Sequence, residues 1–297
     1  MDYPLRRRLY LFLLNKLRLP RGLVTAFVKG LTRLLEPRPA VRRRAAANRD
    51  VAVPDAAGYR LLRQNELPGT APLLETCRRL FEAARATGEL DRQVGDASKR
   101  FLVPVCETGT MLLAEPAIRR FVLSAPLLGI AARYFDRVPI LSALELLWTP
   151  ANETMLKSQK FHFDTEDYRQ LKLFVNIHDV TPESGPFSLL PADRSAVVSR
   201  ATGYVGGRRA RLEDDAVEAA GAARDVVQVT GPAGSGVFVD TSRCLHYGSR
   251  GNRSERLVLL VQFMDYYAPK LEPTDWSPVT DGLRGGLDEP SRLLLRC

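Results

Sequence analysis

The chain has 297 residues, 45% of them hydrophobic and 26% charged, with a formal net charge of +9. These proportions are ordinary for a soluble globular protein, and the length suffices to bury a core as one large domain or two small ones. No apolar run approaches the 18 or so residues that a membrane span needs.

The charge is local. Residues 1–45 carry twelve Lys/Arg against Asp2 and Glu36, which is +10, so the remaining 252 residues sum to −1. A nucleic-acid footprint would need a basic face on the body of the protein, and its charge balance does not favour one. The extension reads as two short amphipathic helices split at Pro20. In the second, Leu23, Val24, Phe27, Val28, Leu31, Leu34 and Leu35 recur on one stripe, with Arg21, Lys29 and Arg33 off it. The apolar run after Arg6-Arg7-Arg8 is too short for a signal sequence, and no cleavage site follows. Pro37, Pro39 and Arg42-Arg43-Arg44 look like a linker. The division is therefore an extension and linker over 1–48 and a main domain over 49–297. Either the stripe packs on that domain, or residues 1–37 form an interfacial pair that meets anionic head groups. Cys77, Cys106, Cys244 and Cys297 lack the close spacing of zinc or redox sites. Reduced thiols in a cytoplasmic protein, peripheral at the membrane surface in the second reading, are the expectation.

Helical patterns are predicted over Pro72–Ala86 and Pro116–Phe135. After Pro139 the pattern turns to strands: ILSALELLW, LKLFVNIHDV, PFSLLP, DVVQVTG, SGVFVD and RLVLLVQFMDYY, separated by Gly/Pro/Ser turns. Helices followed by many strands argue for an α+β domain with a β-sandwich or barrel core, and a jelly roll fits best.

Two of only three histidines lie in FHFDTEDYRQLKLFVNIHDV. There, alternation places Leu171, Leu173, Val175 and Ile177 on one face and Lys172, Phe174, Asn176 and His178 on the other. The third, His246, follows the strand SGVFVD. Two imidazoles and a carboxylate, His162, Asp164 and His246, are the facial set that holds non-haem Fe(II) and leaves positions open. Spacing alone leaves this reading level with a polar sheet edge.

Three ordered motifs, FHFDTED, LFVNIHDVTPESGPFSLLP and HYGSRGNRSERLVLLVQF, spread over roughly residues 140–268, resemble the phytanoyl-CoA dioxygenase-like Fe(II)/2-oxoglutarate oxygenases. The resemblance implies a double-stranded β-helix (jelly-roll) core at about 139–268, with N-terminal and flanking helices. It implies His162, Asp164 and His246 as iron ligands. Arg256 would pair with the distal carboxylate of 2-oxoglutarate through a planar fork that stays charged, with Arg253 the competitor. Phe174 falls where the family often has a tryptophan beside the co-substrate, and Lys172, Asn176 and Ser249 are further co-substrate candidates. His178 is expected on the cavity wall or rim, not as a ligand.

The family's Pro-Gly-Ser-His is replaced here by Pro191-Ala192-Asp193-Arg194, which puts the substrate-side lining in doubt. Retention of Asp164 argues against the halogenating relatives. The implied reaction is hydroxylation of a small-molecule or lipid-like substrate with O₂ and 2-oxoglutarate, and with ascorbate as a reductant. The alternatives are a catalytically silent jelly-roll binding protein and a metal hydrolase using the same ligands. Substrate contacts among Trp148, Tyr168, Arg169 and Arg243 cannot be ranked from sequence.

Overall fold

A computed structural model describes residues 52–96, 101–167, 169–206, 211–265, 268, 274–283 and 286–296, with Phe12, Leu13, Leu23 and Phe27 as isolated helical positions in the extension. The rest of the expected extension and linker, and Tyr168, lie outside the described residues. In chain order the principal elements are β1 (Tyr59–Leu62), α1 (Thr70–Ala86), α2 (Glu89–Asp96), β2 (Val103–Pro104), α3 (Gly109–Ala114), α4 (Pro116–Val122), α5 (Ala125–Phe135) and β3 (Ile140–Thr149). There follow β4 (Gln170–Asn176), β5 (Ser188–Leu189), α6 (Ala192–Thr202), α7 (Asp214–Ala219), β6 (Val227–Gln228), β7 (Gly236–Asp240), β8 (His246–Tyr247), β9 (Arg256–Met264), α8 (Ser277–Thr280) and α9 (Glu289–Leu295).

The strands form two antiparallel sheets. The larger runs β1-β7-β4-β9-β3-β2 and the smaller β6-β5-β8. Single bridges, His162 to His246 and Phe161 to Leu212, extend the smaller one.

Alternation in the long strands sorts the layers. In β9, Leu257, Leu259, Val261 and Phe263 are each 0% exposed. They join Leu171 and Leu173 of β4 and Phe238 of β7 against a helical layer that includes Phe81 of α1 and Ile118 of α4. Burying each such side chain is worth about 1.5–3 kcal/mol, so this face fixes the register of the sheet. The other face of the large sheet looks toward the small one. The small sheet's far face is covered in turn by α6 and α7, through Val198 and Val217 packed with Phe161, Leu190 and Tyr247.

Three sequence expectations need correction. The helix over 116–135 is two helices, because Pro126 cannot sit in a helix interior and Ser124 caps the second one, accepting from Leu127 N. Helices do not simply precede strands: β1 pairs with β7 across the chain, and α6 and α7 lie between strands. The strand expected over 171–180 stops at Asn176.

Candidate metal centre and its cavity

His162 and His246, far apart in sequence, face each other across one rung of the small sheet. Each donates its backbone N–H to the other's carbonyl, at 3.0 and 3.1 Å. Directly paired residues of an antiparallel ladder project to the same face, and the imidazole centroids stand 4.2 Å apart. Phe161 and Tyr247, the next residues along, turn to the opposite face and stack edge-on at 4.7 Å. Asp164 enters from the following loop, anchored where its N–H donates to the Thr241 carbonyl at 2.9 Å. Its Oδ1 lies 3.9 Å from His162 Nε2 and its Oδ2 lies 3.7 Å from His246 Nε2.

Both rings are oriented alike. His162 Nδ1 meets the Lys160 carbonyl at 2.9 Å and His246 Nδ1 meets the Cys244 carbonyl at 2.9 Å. A carbonyl only accepts, so the proton sits on Nδ1 and the Nε2 lone pair is aimed at Asp164. Burial and then the facing His246 pull the His162 imidazole down to about 3, against the attraction of Asp164. Burial likewise holds His246 below its ordinary value. For Asp164 burial acts upward, but Lys172 and the two histidines outweigh it, and the carboxyl stays well below the usual range. At neutral pH the site thus offers two neutral imidazoles and one carboxylate, which is the ligand state that a divalent cation requires.

The three donor groups lie within 4.8 Å of one another. Donors about 2.0–2.2 Å from a shared ion stand about 3 Å apart when adjacent, so small side-chain movements would close the set. Nitrogen and oxygen donors without thiolate suit iron as well as zinc.

The triad lines a cavity of about 230 Å³ between the two sheets. From β9 come Arg256, Val258, Leu260 and Gln262, the residues that alternate with the buried core face. From β4 come Lys172 and Phe174. Lys172 Nζ donates to Asp164 Oδ2 at 2.7 Å. Phe174 stacks on Phe187 at 4.4 Å, and Phe187 lies 5.4 Å from the His246 ring, so aromatic surface walls the side of the triad.

Arg256 occupies another wall. It is 5% exposed, its Nη2 donates to Ser249 Oγ at 2.6 Å, and its Nε is buried with no partner. Burial pulls the guanidinium down to about 10. Ser249 is held in a left-handed conformation, φ 62°, with its Oγ 3.1 Å from Thr149 Oγ1 and its N–H donating to the Gly185 carbonyl. Gly185 must be glycine: its φ is 61°, and a Cβ there would stand 2.7 Å from Asn252 Cβ.

Of the residues expected at the site, His162, Asp164, His246, Lys172, Phe174, Ser249 and Arg256 line one cavity. Asn176 does not: it is 2% exposed, and its Nδ2 donates to Ser235 Oγ at 3.1 Å. His178 is not on the cavity wall either. The chain has left the strand by then, so alternation no longer governs it, and the ring packs edge-on against Phe81 at 5.6 Å on the helical side. Arg253 is exposed. Arg194, which replaces the family's histidine, pairs with Asp225 at 2.6 Å. Trp148 lies in the helical core with its Nε1 donating to Glu255. Arg169 and Arg243 both grip Asp55, at 2.7 and 3.0 Å.

Sequence reasoning missed Phe187, which reads as an ordinary strand residue, and the glutamine pair Gln170 and Gln262, bonded at 3.1 Å. Gln262 did carry a signal, as the single polar residue inside the run LVLLVQFM.

No protein-family profile matches the chain. No curated protein matches its sequence. Solved structures that resemble it include the epimerase SnoN in complex with Fe3+, alpha ketoglutarate and nogalamycin RO, at 17% identity over 77% of this chain and 85% of that one, TM-score 0.44. EctD from S. alaskensis in its apoform is 18% identical over 79% and 81%, TM-score 0.49. HygX from Streptomyces hygroscopicus with nickel and 2-oxoglutarate bound is 16% identical over 71% and 84%, TM-score 0.45. Likeness this distant assigns no function, so the geometry of the site must do so.

Proposed function

We propose that this protein is an Fe(II)/2-oxoglutarate-dependent dioxygenase that hydroxylates a C–H bond of a small-molecule or lipid-like substrate, on a jelly-roll core of the phytanoyl-CoA dioxygenase-like type. One observation carries the reading: a single cavity holds both the His162, Asp164, His246 donor set and a buried guanidinium, Arg256, with no carboxylate partner among the described residues. A buried, unpaired charge is costly unless a ligand completes it. A dicarboxylate that reaches from the metal to Arg256 would do so, whereas a hydrolase has no evident use for that arginine.

Iron and 2-oxoglutarate, when bound, supply the oxidising chemistry, in which substrate R–H, O₂ and 2-oxoglutarate become R–OH, succinate and CO₂. The protein's part is placement. His162 and His246 present fixed Nε2 lone pairs, and Asp164 supplies the one negative charge. Arg256, steadied by Ser249, offers its fork to the distal carboxylate. Phe174 and Phe187 keep water from the metal side. The test is succinate formation with Fe(II), 2-oxoglutarate and ascorbate across lipid, acyl-CoA, amino-acid and natural-product candidates. Absence of 2-oxoglutarate turnover with every candidate and with none would leave the silent binding protein as the reading.

For residues 1–37 we propose reversible contact of a cytoplasmic protein with an anionic lipid surface. The support is that Leu23 and Phe27, four apart on the expected stripe, are helical and 65% and 57% exposed, in a segment rich in Lys and Arg. No helix among the described residues is long and apolar enough to cross a membrane.

A further inference from the structure

The two oxygens of Asp164 are treated differently by their surroundings. Lys172 Nζ donates to Oδ2 at 2.7 Å, and Gln170 Nε2 approaches the same oxygen at 3.5 Å. Neither reaches Oδ1, which faces His162 Nε2. Lys172 extends from the large sheet. It stands on β4 opposite Gln262 of β9, and Gln262 Oε1 receives the other bond from Gln170 Nε2. Oδ2, which also faces His246 at 3.7 Å, is therefore covered by a cation, and Oδ1 is left facing His162 alone.

A carboxylate can bind a metal through one oxygen or through both, and the second mode uses one more coordination position. A co-substrate that chelates through two atoms, together with O₂, needs three positions besides the protein's own.

We propose that Lys172 is a positioning residue that covers Oδ2 of Asp164, so that this carboxylate ligates through Oδ1 alone and three positions stay open. This rests on the dioxygenase reading and adds to it a role for a lysine that need not touch the co-substrate. The rival account is that the ammonium merely stands in for the charge of an ion and withdraws when one binds.

The experiment uses Co(II) as the probe metal, the full chain, and aspartate labelled with ¹³C at the carboxyl. The metal-induced infrared difference spectrum reports the separation of the antisymmetric and symmetric carboxylate stretches, wide for one-oxygen ligation and narrow for chelation. A titration of the Co(II) protein with 2-oxoglutarate reports how many positions remain. The wild type is expected to give the wide separation. Lys172→Met is expected to give the narrow one, with 2-oxoglutarate affinity about tenfold weaker. Lys172→Arg should restore both. Lys172→Gln, which keeps an N–H donor without the charge, should keep the wide separation even if the Met variant does not fold.

A wide separation and wild-type 2-oxoglutarate affinity in Lys172→Met would overturn the proposal. So would a change in Co(II) affinity alone, which is the result expected of a charge stand-in. Failure of the wild type to bind Co(II) or 2-oxoglutarate would instead remove the dioxygenase reading, and the role of Lys172 with it.

Discussion

Arg256 donates to Ser249 Oγ at 2.6 Å while its own Nε, buried beside the same cavity, has no partner. The serine satisfies one edge of the guanidinium, and a dianionic co-substrate would satisfy another. Arg256→Ala should raise the 2-oxoglutarate requirement by about two orders of magnitude, since a lost charge-assisted pair costs a few kcal/mol. Arg253→Ala, at an exposed position, should leave it unchanged. Equal effects in 2-oxoglutarate titrations of the two variants would mean that the wrong arginine has been chosen.

The paired histidines make a stricter demand. His246→Ala or Asp164→Ala should abolish oxygenase turnover and stoichiometric Fe(II) binding together, because each removes one of three donors. Stripping the wild type with a chelator should do the same, with Fe(II) restoring turnover and Zn(II) failing to. A His246→Ala variant with full activity is the outcome that the metal assignment cannot survive.

Stability of the metal-free protein should fall as the solution is acidified. His162 titrates near 3 in the fold and near 6.5 when unfolded. At pH 8 neither state carries the proton. Between 6.5 and 3 the unfolded chain takes up a proton that the native site refuses, so unfolding gains. Asp164, held below its ordinary range, works the same way at lower pH: its contribution is present above the unfolded carboxyl pKa of about 3.9 and is lost as pH falls below that. From pH 8 to pH 5, His162 alone should cost about 2 kcal/mol. Urea midpoints in chelator at the two pH values measure this, and His162→Gln should flatten the dependence.

At Gly236, β7 runs close against β4. A Cβ on it would lie 2.0 Å from the Phe174 carbonyl oxygen. Gly236→Ala should force the two strands apart and cost roughly several kcal/mol, enough to deplete folded protein. Circular dichroism and a thermal melt of the purified variant check this. A melt like that of the wild type would contradict the Val175–Gly236 pairing.

The full chain should sediment with anionic vesicles at low salt, and neutral vesicles should leave it in solution. A chain starting near Asp50 should sediment with neither. Each basic residue near the surface contributes about 1 kcal/mol. Indifference of the full chain to anionic vesicles would return the leucine stripe to the protein core.

What the sequence disclosed follows from how local each signal is. Alternation marked the two faces of 171–176, because a strand with one buried face must repeat every two residues; the apolar run of 256–264 marked a strand but not its faces. The donor set was legible as residue types, but only the long-range pairing of His162 with His246 makes it a site, and no local pattern encodes that pairing. Asn176 was misplaced because alternation identifies a face and says nothing about how far along it the cavity extends. His178 was misplaced because the strand ends two residues earlier. Phe187 was invisible because an aromatic just ahead of a short strand reads the same whether it covers a core or lines a cavity.

The division of labour along β9 has a bearing on how such a protein can diversify. Its odd-numbered residues are locked into packing where one methylene matters, while Val258, Leu260 and Gln262 on the alternate positions border open space. A change on the second set alters the shape of the cavity while leaving the packing of the first set in place. The same strand can therefore hold the architecture constant while the cavity beside it is reshaped residue by residue.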